Sequence, residues 1–230
     1  MDEGFELVDR MKQIFVPQSR RQLVVWLVAL GLMMTAVILL LELAEDVWLN
    51  RGFAWDATLM LAIHSLSRPW LDKLFWFVTQ TAGLLIVVPV LVTAVWFWRR
   101  GERITAVLFI VSFAGTALLA SFLKIVFARP RPDLFPPLVV EHSYSFPSGH
   151  TMSAISFYGL LALVLWERRR QGWAILCALW VPLVALSRVY LGAHYPSDVL
   201  ASLAIGTIWL IIVWFTYLGS PAQHIHRTTG

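Results

Sequence analysis

The chain has 230 residues, 59% of them hydrophobic and only 14% charged, with a mean hydropathy of +0.72. Water-soluble domains carry roughly 25% charged residues, so this composition excludes an ordinary soluble domain. A formal net charge of +4 would suit a nucleic-acid binder, but the basic residues sit in short clusters between apolar blocks and build no nucleic-acid face.

Asp2–Gln18 mixes apolar and charged residues at roughly helical spacing (Phe5, Leu7, Val8, Met11, Ile14, Phe15). It reads either as a helix lying on the cytoplasmic face or as a frayed tail. Arg20 and Arg21 then precede Gln22–Leu41, an uncharged run of the roughly 20 residues a bilayer span needs. It is too long for a signal peptide and no small-x-small cleavage site follows it, so it reads as a retained anchor. The stretch after it is acidic (Glu42, Glu45, Asp46, Asp56), which suits the outer side. Ala57–Phe77 carries His64, Arg68, Asp72 and Lys73 among apolar residues. It predicts an amphipathic helix on the outer surface, broken near Pro69, then the start of the second membrane helix, with His64 as a surface or packing residue.

Five further apolar blocks follow: Thr81–Trp98, Ile104–Leu123, Ser153–Trp166, Trp173–Leu186 and Val199–Leu218. With the first they predict an all-α polytopic membrane protein of six transmembrane helices plus an interfacial helix between the first two. The chain reads as one membrane-embedded domain, 1–230, with a cytoplasmic N-terminal segment (1–21) and a flexible cytoplasmic tail (219–230). Basic clusters flank alternate connections: Arg10, Lys12, Arg20 and Arg21, then Arg99, Arg100 and Arg103, then Arg168, Arg169 and Arg170. The positive-inside rule places these, and both termini, in the cytoplasm. Trp96, Trp98, Trp166 and Trp173 stand beside the arginines as interfacial belt residues do, and Gly101 and Gly172 mark tight turns. Cys177 has no partner for an intrachain disulfide and reads as packing. His224 and His226 lack companions that would complete a metal site.

Two outer connections break this charge pattern. Lys124, Arg129 and Arg131 lie between the third and fourth apolar blocks, and Arg188 opens the last connection. A charge at the centre of a membrane helix costs on the order of 2.5–3.5 kcal/mol, less near its ends. Contact with anionic lipid head groups would explain one or two such cations but not their spacing. In KIVFARPRP, Lys124 and Arg131 are separated by six residues, and Pro130 and Pro132 fix an extended turn that can aim Arg131 back toward Lys124. Lysine supplies a point charge and arginine a planar fork suited to phosphate oxygens. Arg129 reads as a surface charge or head-group contact. Glu141 and His142, on the loop before the next motif, read as solvated residues, with head-group contact as the alternative.

In PSGH (147–150), Ser148 is a favoured N-cap and Gly149 lets a ligand approach the backbone. The first-turn amides form an anion site, within reach of His150. In SRVYLGAHYPSD (187–198), Pro196 suits the first position of a helix, and Asp198 falls in its first turn, where the helix end favours a carboxylate. His194 and Asp198 are four apart, so the carboxylate can orient the imidazole and leave its other nitrogen free to attack. All three stretches lie where a predicted helix begins or ends, on one side of the membrane. Ser202 and Gly206, and Ala114, Gly115 and Thr116, read as close helix packing.

The pattern K-x6-RP, PSGH, SR-x5-H-x3-D, complete here at Lys124–Pro132, Pro147–His150 and Ser187–Asp198, resembles that of the type 2 phosphatidic acid phosphatase superfamily. That group also includes vanadium haloperoxidases and glucose-6-phosphatase. The resemblance implies that His194 takes the phosphoryl group as phosphohistidine and that Asp198 orients it. His150 would protonate the leaving oxygen and later help activate water. Lys124, Arg131, Ser148, Gly149 and Arg188 would hold the phosphate oxygens. It implies no metal or other cofactor, and no carboxylate cluster offers to hold two metal ions. The expected substrate is a lipid monophosphate or pyrophosphate: phosphatidic acid, phosphatidylglycerol phosphate or undecaprenyl pyrophosphate. The expected setting is a bacterial inner membrane with the site facing outward. A lipid phosphotransferase would use the same site. A transporter would need polar groups at helix midpoints and helices broken at mid-depth, a pure lipid-binding module would not need two histidines and an aspartate, and a haloperoxidase does not suit a membrane setting.

Overall fold

A computed structural model describes residues 20–49 and 52–218, in which all regular structure is helical. The readings made above for Asp2–Gln18 and for the tail beyond 218 lie outside these residues. Eight helices follow one another: α1 (Arg20–Trp48), α2 (Ala54–His64), α3 (Pro69–Gln80), α4 (Val87–Arg99), α5 (Arg103–Phe127), α6 (Gly149–Glu167), α7 (Gln171–Tyr190) and α8 (Pro196–Leu218). Five of them, α1, α5, α6, α7 and α8, are long and apolar enough to cross a membrane. Their outward faces carry exposed large apolar side chains such as Leu27, Val28, Leu118 and Leu179, as a lipid-facing surface does.

The sequence starts the second membrane helix after the break near Pro69 and runs it on through Thr81–Trp98; the structure agrees on the start and differs in a bend. The apolar path begins at Pro69 and bends by 46° between α3 and α4, so a sixth span exists only if the bent pair is counted as one. Gly83 stands at the break, followed by a 3-10 turn, Leu84–Ile86. Breaking a helix frees backbone groups that lipid cannot satisfy. Protein satisfies one of them: the Tyr158 hydroxyl donates to Thr81 O at 3.1 Å, and Trp180 Nε1 donates to Thr81 Oγ1 at 2.9 Å. The expected break near Pro69 falls at residues 65–68, with Pro69 opening α3. Glu42, Glu45 and Asp46 ride on the last turns of α1 instead of forming a loop. His64 is a packing residue, stacked on Phe135 at 3.8 Å between ring centroids.

α1 packs along α8, α4 against α5, and α6 against α7, with α6 also touching α5 and α8. The core beneath holds Val90, Phe97, Phe109, Phe157 and Leu160. α6 opens into a π turn at Ile155–Gly159, a widening that frees a carbonyl; Ser112 Oγ of α5 donates to Ser156 O at 3.0 Å. At this point α8 approaches closely. A Cβ added at Gly206 would lie 2.1 Å from Ile155 Cγ2, and one at Gly115 2.1 Å from the Trp209 ring. Cγ2 of a β-branched residue moves only by leaving its rotamer. Gly206→Ala is therefore expected to lower stability by about 1–3 kcal/mol, read as a drop in thermal midpoint in detergent. In an Ile155→Ala background the same change should cost less, and an unchanged midpoint in the single variant would contradict this packing.

The connections α4–α5 and α6–α7 lie at one end of the bundle, joined by an Arg168–Glu102 ion pair. The other end gathers the C-termini of α5 and α7, the N-termini of α6 and α8, and the loop 128–148.

Candidate active site

α5 ends at Ala128, which takes a left-handed conformation (φ 43°). Pro130 and Pro132 then keep the chain extended, because the residue before a proline avoids the helical region. Helix and loop together bring Lys124 and Arg131 to one place. Lys124 Nζ donates to Tyr144 O. Arg131 donates through Nε to Ser143 O at 2.6 Å and through Nη1 to Ala193 O at 2.6 Å.

α6 starts at the PSGH motif. The Ser148 hydroxyl caps the helix, accepting from Thr151 N at 3.5 Å and from the Thr151 hydroxyl at 3.1 Å. Ser148 N donates to Ser202 Oγ at 2.7 Å, and Ser202 Oγ donates to Asp198 O at 2.6 Å. Ser202 thus does more than pack: it ties the start of α6 to the start of α8. A Cβ on Gly149 would meet nothing within 4 Å, so the backbone there borders open space, whereas one on Gly83 would come within 3.0 Å of His150 Nε2.

α8 begins at Pro196 with the fully buried Asp198 in its first turn. Asp198 Oδ2 accepts from the Ser145 hydroxyl and from Tyr195 N (3.0 Å). The buried His194 presents Nδ1 to the same oxygen at 3.6 Å, an ion-pair distance too long for a hydrogen bond, and Nε2 to Arg131 Nη1 at 3.4 Å. The two ring nitrogens therefore face different groups, a carboxylate and a guanidinium.

Burial is the largest force on the His194 imidazole. Arg188 and Arg131 add to it, Asp198 opposes it, and the pKa falls to about 4. The folded ring stays neutral between about pH 4 and 6.5, whereas an unfolded histidine takes up a proton there. The unfolded state then binds more protons, so stability falls as pH drops through that window, by about 3 kcal/mol in all. Thermal midpoints from pH 7 to 4.5 should drop more steeply in the native chain than in His194→Asn, and parallel curves would contradict the assignment.

Glu141 stands between the cations. Its carboxylate pairs with Arg188 Nη2, lies 4.0 Å from Arg131 Nη2 and 3.9 Å from His150 Nδ1. Burial alone would raise its pKa, but Arg188 and Arg131 outweigh burial and hold it below the usual carboxylate range. Arg188 is 1% exposed and also donates through Nη1 to Thr79 Oγ1 at 2.6 Å. Its buried Nε has no acceptor among the described residues. Two cavities flank this cluster. One, of about 400 Å³, is bordered by Thr79, Gly83, Glu141, His150 and Arg188. The other, of about 570 Å³, is bordered by Ser121, Lys124, Arg131, His142 and Tyr144.

The structure thus gathers Lys124, Arg131, His150, Arg188, His194 and Asp198 at one end of the bundle, with Ser148 turned to capping. Two readings of the sequence need correction. Arg129 is a buried residue, bonded to Asp198, Asp56 and Ser197, and no surface charge. Glu141 is an ion-pair partner of Arg188 and Arg131, not a solvated loop residue. Asp56, grouped above with an acidic outer stretch, is likewise buried. Arg129 and Arg131 flank one proline, but nothing local tells which of them pairs with Asp198.

The chain is 31% identical over 182 residues to phosphatidylglycerophosphatase B of Bacillus subtilis, covering 75% of this chain and 88% of that protein. It is 30% identical over 155 residues to the undecaprenyl-diphosphatase BcrC of Bacillus subtilis, covering 64% and 76%. A crystal structure of a transmembrane PAP2-type phosphatidylglycerolphosphate phosphatase from Bacillus subtilis superposes with a TM-score of 0.71 at 29% identity, over 79% of this chain and 94% of that one. Aquifex aeolicus LpxE gives 0.59 at 27%, over 71% and 96%. Residues 105–220, which run from the first turn of α5 past the end of α8 and hold all three motifs, match the PAP2 superfamily, and this multi-pass membrane protein belongs to that superfamily.

Proposed function

We propose that the chain is a lipid phosphatase that hydrolyses a phosphate monoester or pyrophosphate of a membrane lipid through a phosphohistidine. The observation that carries this reading is the pair of contacts made by His194, Nδ1 toward Asp198 and Nε2 toward Arg131, with His150 reached through Glu141 in the same cluster. Nδ1 would hold its proton toward Asp198, leaving the Nε2 lone pair to attack phosphorus. The N–P bond forms as the lipid P–O bond breaks, and His150 gives the leaving oxygen its proton. Water then attacks the same phosphorus and passes a proton to His150; the N–P bond breaks and inorganic phosphate leaves. Arg131, Arg188, Lys124 and the Gly149 amide would stabilise the charge that builds on the equatorial oxygens.

In this reading Glu141 marks the phosphate position: it is an anion already seated between Arg131, Arg188 and His150, which the substrate displaces. A lipid substrate is supported by an apolar groove of about 400 Å³ between α1, α5 and α8, lined by Leu40, Leu119, Phe127, Phe146, Ile205 and Trp209. The relatives act, by their names, on phosphatidylglycerophosphate, undecaprenyl diphosphate and, for a Rhizobium johnstonii protein of which the chain spans 43%, the 1-phosphate of lipid A. For this chain we retain phosphatidic acid, phosphatidylglycerol phosphate and undecaprenyl pyrophosphate as substrates. The same reading counts α3 and α4 as one bent span, making six, with α2 lying at the interface. It sets the arginine-rich end in the cytoplasm of a bacterial inner membrane, and the site outside.

The test is phosphate release by purified protein from those three lipids, in the presence of a metal chelator. Release from at least one, inhibited by vanadate, is expected, since vanadate can take the five-coordinate geometry of the transition state. No release from any, or indifference to vanadate, would refute the reading.

A further inference from the structure

Asp198 would be a weak partner for His194 if its charge were spent elsewhere, and one of its oxygens is. Oδ1 accepts from Arg129 Nη1. Alone, that buried ion pair would be neutral and would exert little field on the imidazole. It is not alone. Arg129 Nη2 donates to Asp56 Oδ2 at 3.0 Å. Asp56 is itself fixed at the start of α8: Oδ1 accepts from Ser197 N at 2.9 Å and Oδ2 from Ser197 Oγ at 2.5 Å. The guanidinium also lies over the Tyr195 ring at 4.2 Å. One cation is thus shared between two buried carboxylates, and the group as a whole keeps one negative charge.

Resting on the nucleophile reading above, we propose that Asp56 and Arg129 are positioning residues for the reaction. Arg129 fixes the rotation of Asp198 so that Oδ2 faces Nδ1 of His194, and Asp56 takes up the second half of the guanidinium so that Asp198 keeps its negative field. That field stabilises the positive imidazole ring of the phosphohistidine. Neither residue touches the substrate. Residues from α2 (Asp56), the loop after α5 (Arg129) and α8 (Asp198) thereby act together on a histidine that precedes α8.

The arrangement separates turnover from binding. Asp56→Asn, a variant of equal size, leaves Arg129 to neutralise Asp198. It is expected to lower kcat by about 10- to 100-fold, with KM for a short-chain phosphatidic acid in mixed micelles within about threefold. In the background of Asp198→Asn the same change should cost almost nothing more, because the two act through one carboxylate. Asp56→Glu should recover part of the loss. A folded Asp56→Asn with native kcat, a loss confined to KM, or a full additive loss on top of Asp198→Asn would each overturn the proposal. If Asp56→Asn does not give a monodisperse protein, Arg129→Lys replaces it. That variant keeps the charge and loses the fork, so a fall in kcat at steady KM is expected, and an unchanged kcat overturns the proposal. His194→Ala is assayed alongside. Its inactivity with a fully active Asp56→Asn would sink this inference and leave the phosphatase reading standing; an active His194→Ala would sink both.

Discussion

His194→Ala is expected to reduce phosphate release by about 10⁴-fold or more, the scale on which enzymes lose a covalent nucleophile. The fall should appear in kcat, because the cations proposed to hold the phosphate remain: Lys124, Arg131 and Arg188 do not depend on the imidazole for their partners. Anion binding should therefore survive, and vanadate or phosphate should still protect the variant thermally. His150→Ala separates the two histidines. If His150 serves only as proton donor and acceptor, its loss should be severe with a lipid alkoxide as leaving group and mild for the first step with p-nitrophenyl phosphate, whose phenolate leaves without a proton. The second step still lacks its base, so an acid-labile phosphoryl adduct should accumulate on His194 in that variant. Recovery of the label on another residue, or release by His194→Ala at even a tenth of the native rate, would overturn the assignment of the nucleophile.

The parts of this site that were legible in the sequence are those whose logic is local. His194 and Asp198 stand four apart across a helix start signalled by Pro196, and Ser148 caps the helix that follows it; such short spacings fix geometry without knowledge of the fold. Lys124 and Arg131 were legible because the prolines between and after them forbid a continuing helix. Glu141, Arg129 and Asp56 were not, because their meaning lies in partners far along the chain. Arg129 meets Asp56 from 73 positions away, and Asp56 meets Ser197 across 141. A carboxylate in an acidic stretch and an arginine beside a proline look like surface charge until the helices that separate them are packed. The same holds for the bend between α3 and α4. The apolar run through Thr81–Trp98 reads as one continuous span, whereas in the fold the break is accommodated by Tyr158 and Trp180, on α6 and α7, which bond the polar groups of Thr81.

Arg188→Met should show whether that residue serves the fold or the phosphate. The native side chain is almost wholly buried, gives Nη1 to Thr79 and Nη2 to Glu141, lines the cavity shared with His150, and leaves its buried Nε without an acceptor among the described residues. A buried guanidinium N–H without an acceptor is costly, and a phosphate oxygen would relieve that cost. Removing the cation is therefore expected to lower kcat/KM by about 10³-fold, the worth of a desolvated charge pair of 3–5 kcal/mol. It should also destabilise the fold, because Glu141 then faces a half-buried site with only the more distant Arg131; a quarter of the Glu141 side chain is exposed, so about 1–3 kcal/mol is the expected loss. The two effects part in Arg188→Met/Glu141→Gln. With the unpaired carboxylate neutralised, the thermal midpoint should return most of the way to the native value while phosphate release stays low. If activity returns together with stability, Arg188 is needed only to neutralise Glu141, and the phosphate must be gripped by Lys124 and Arg131 alone.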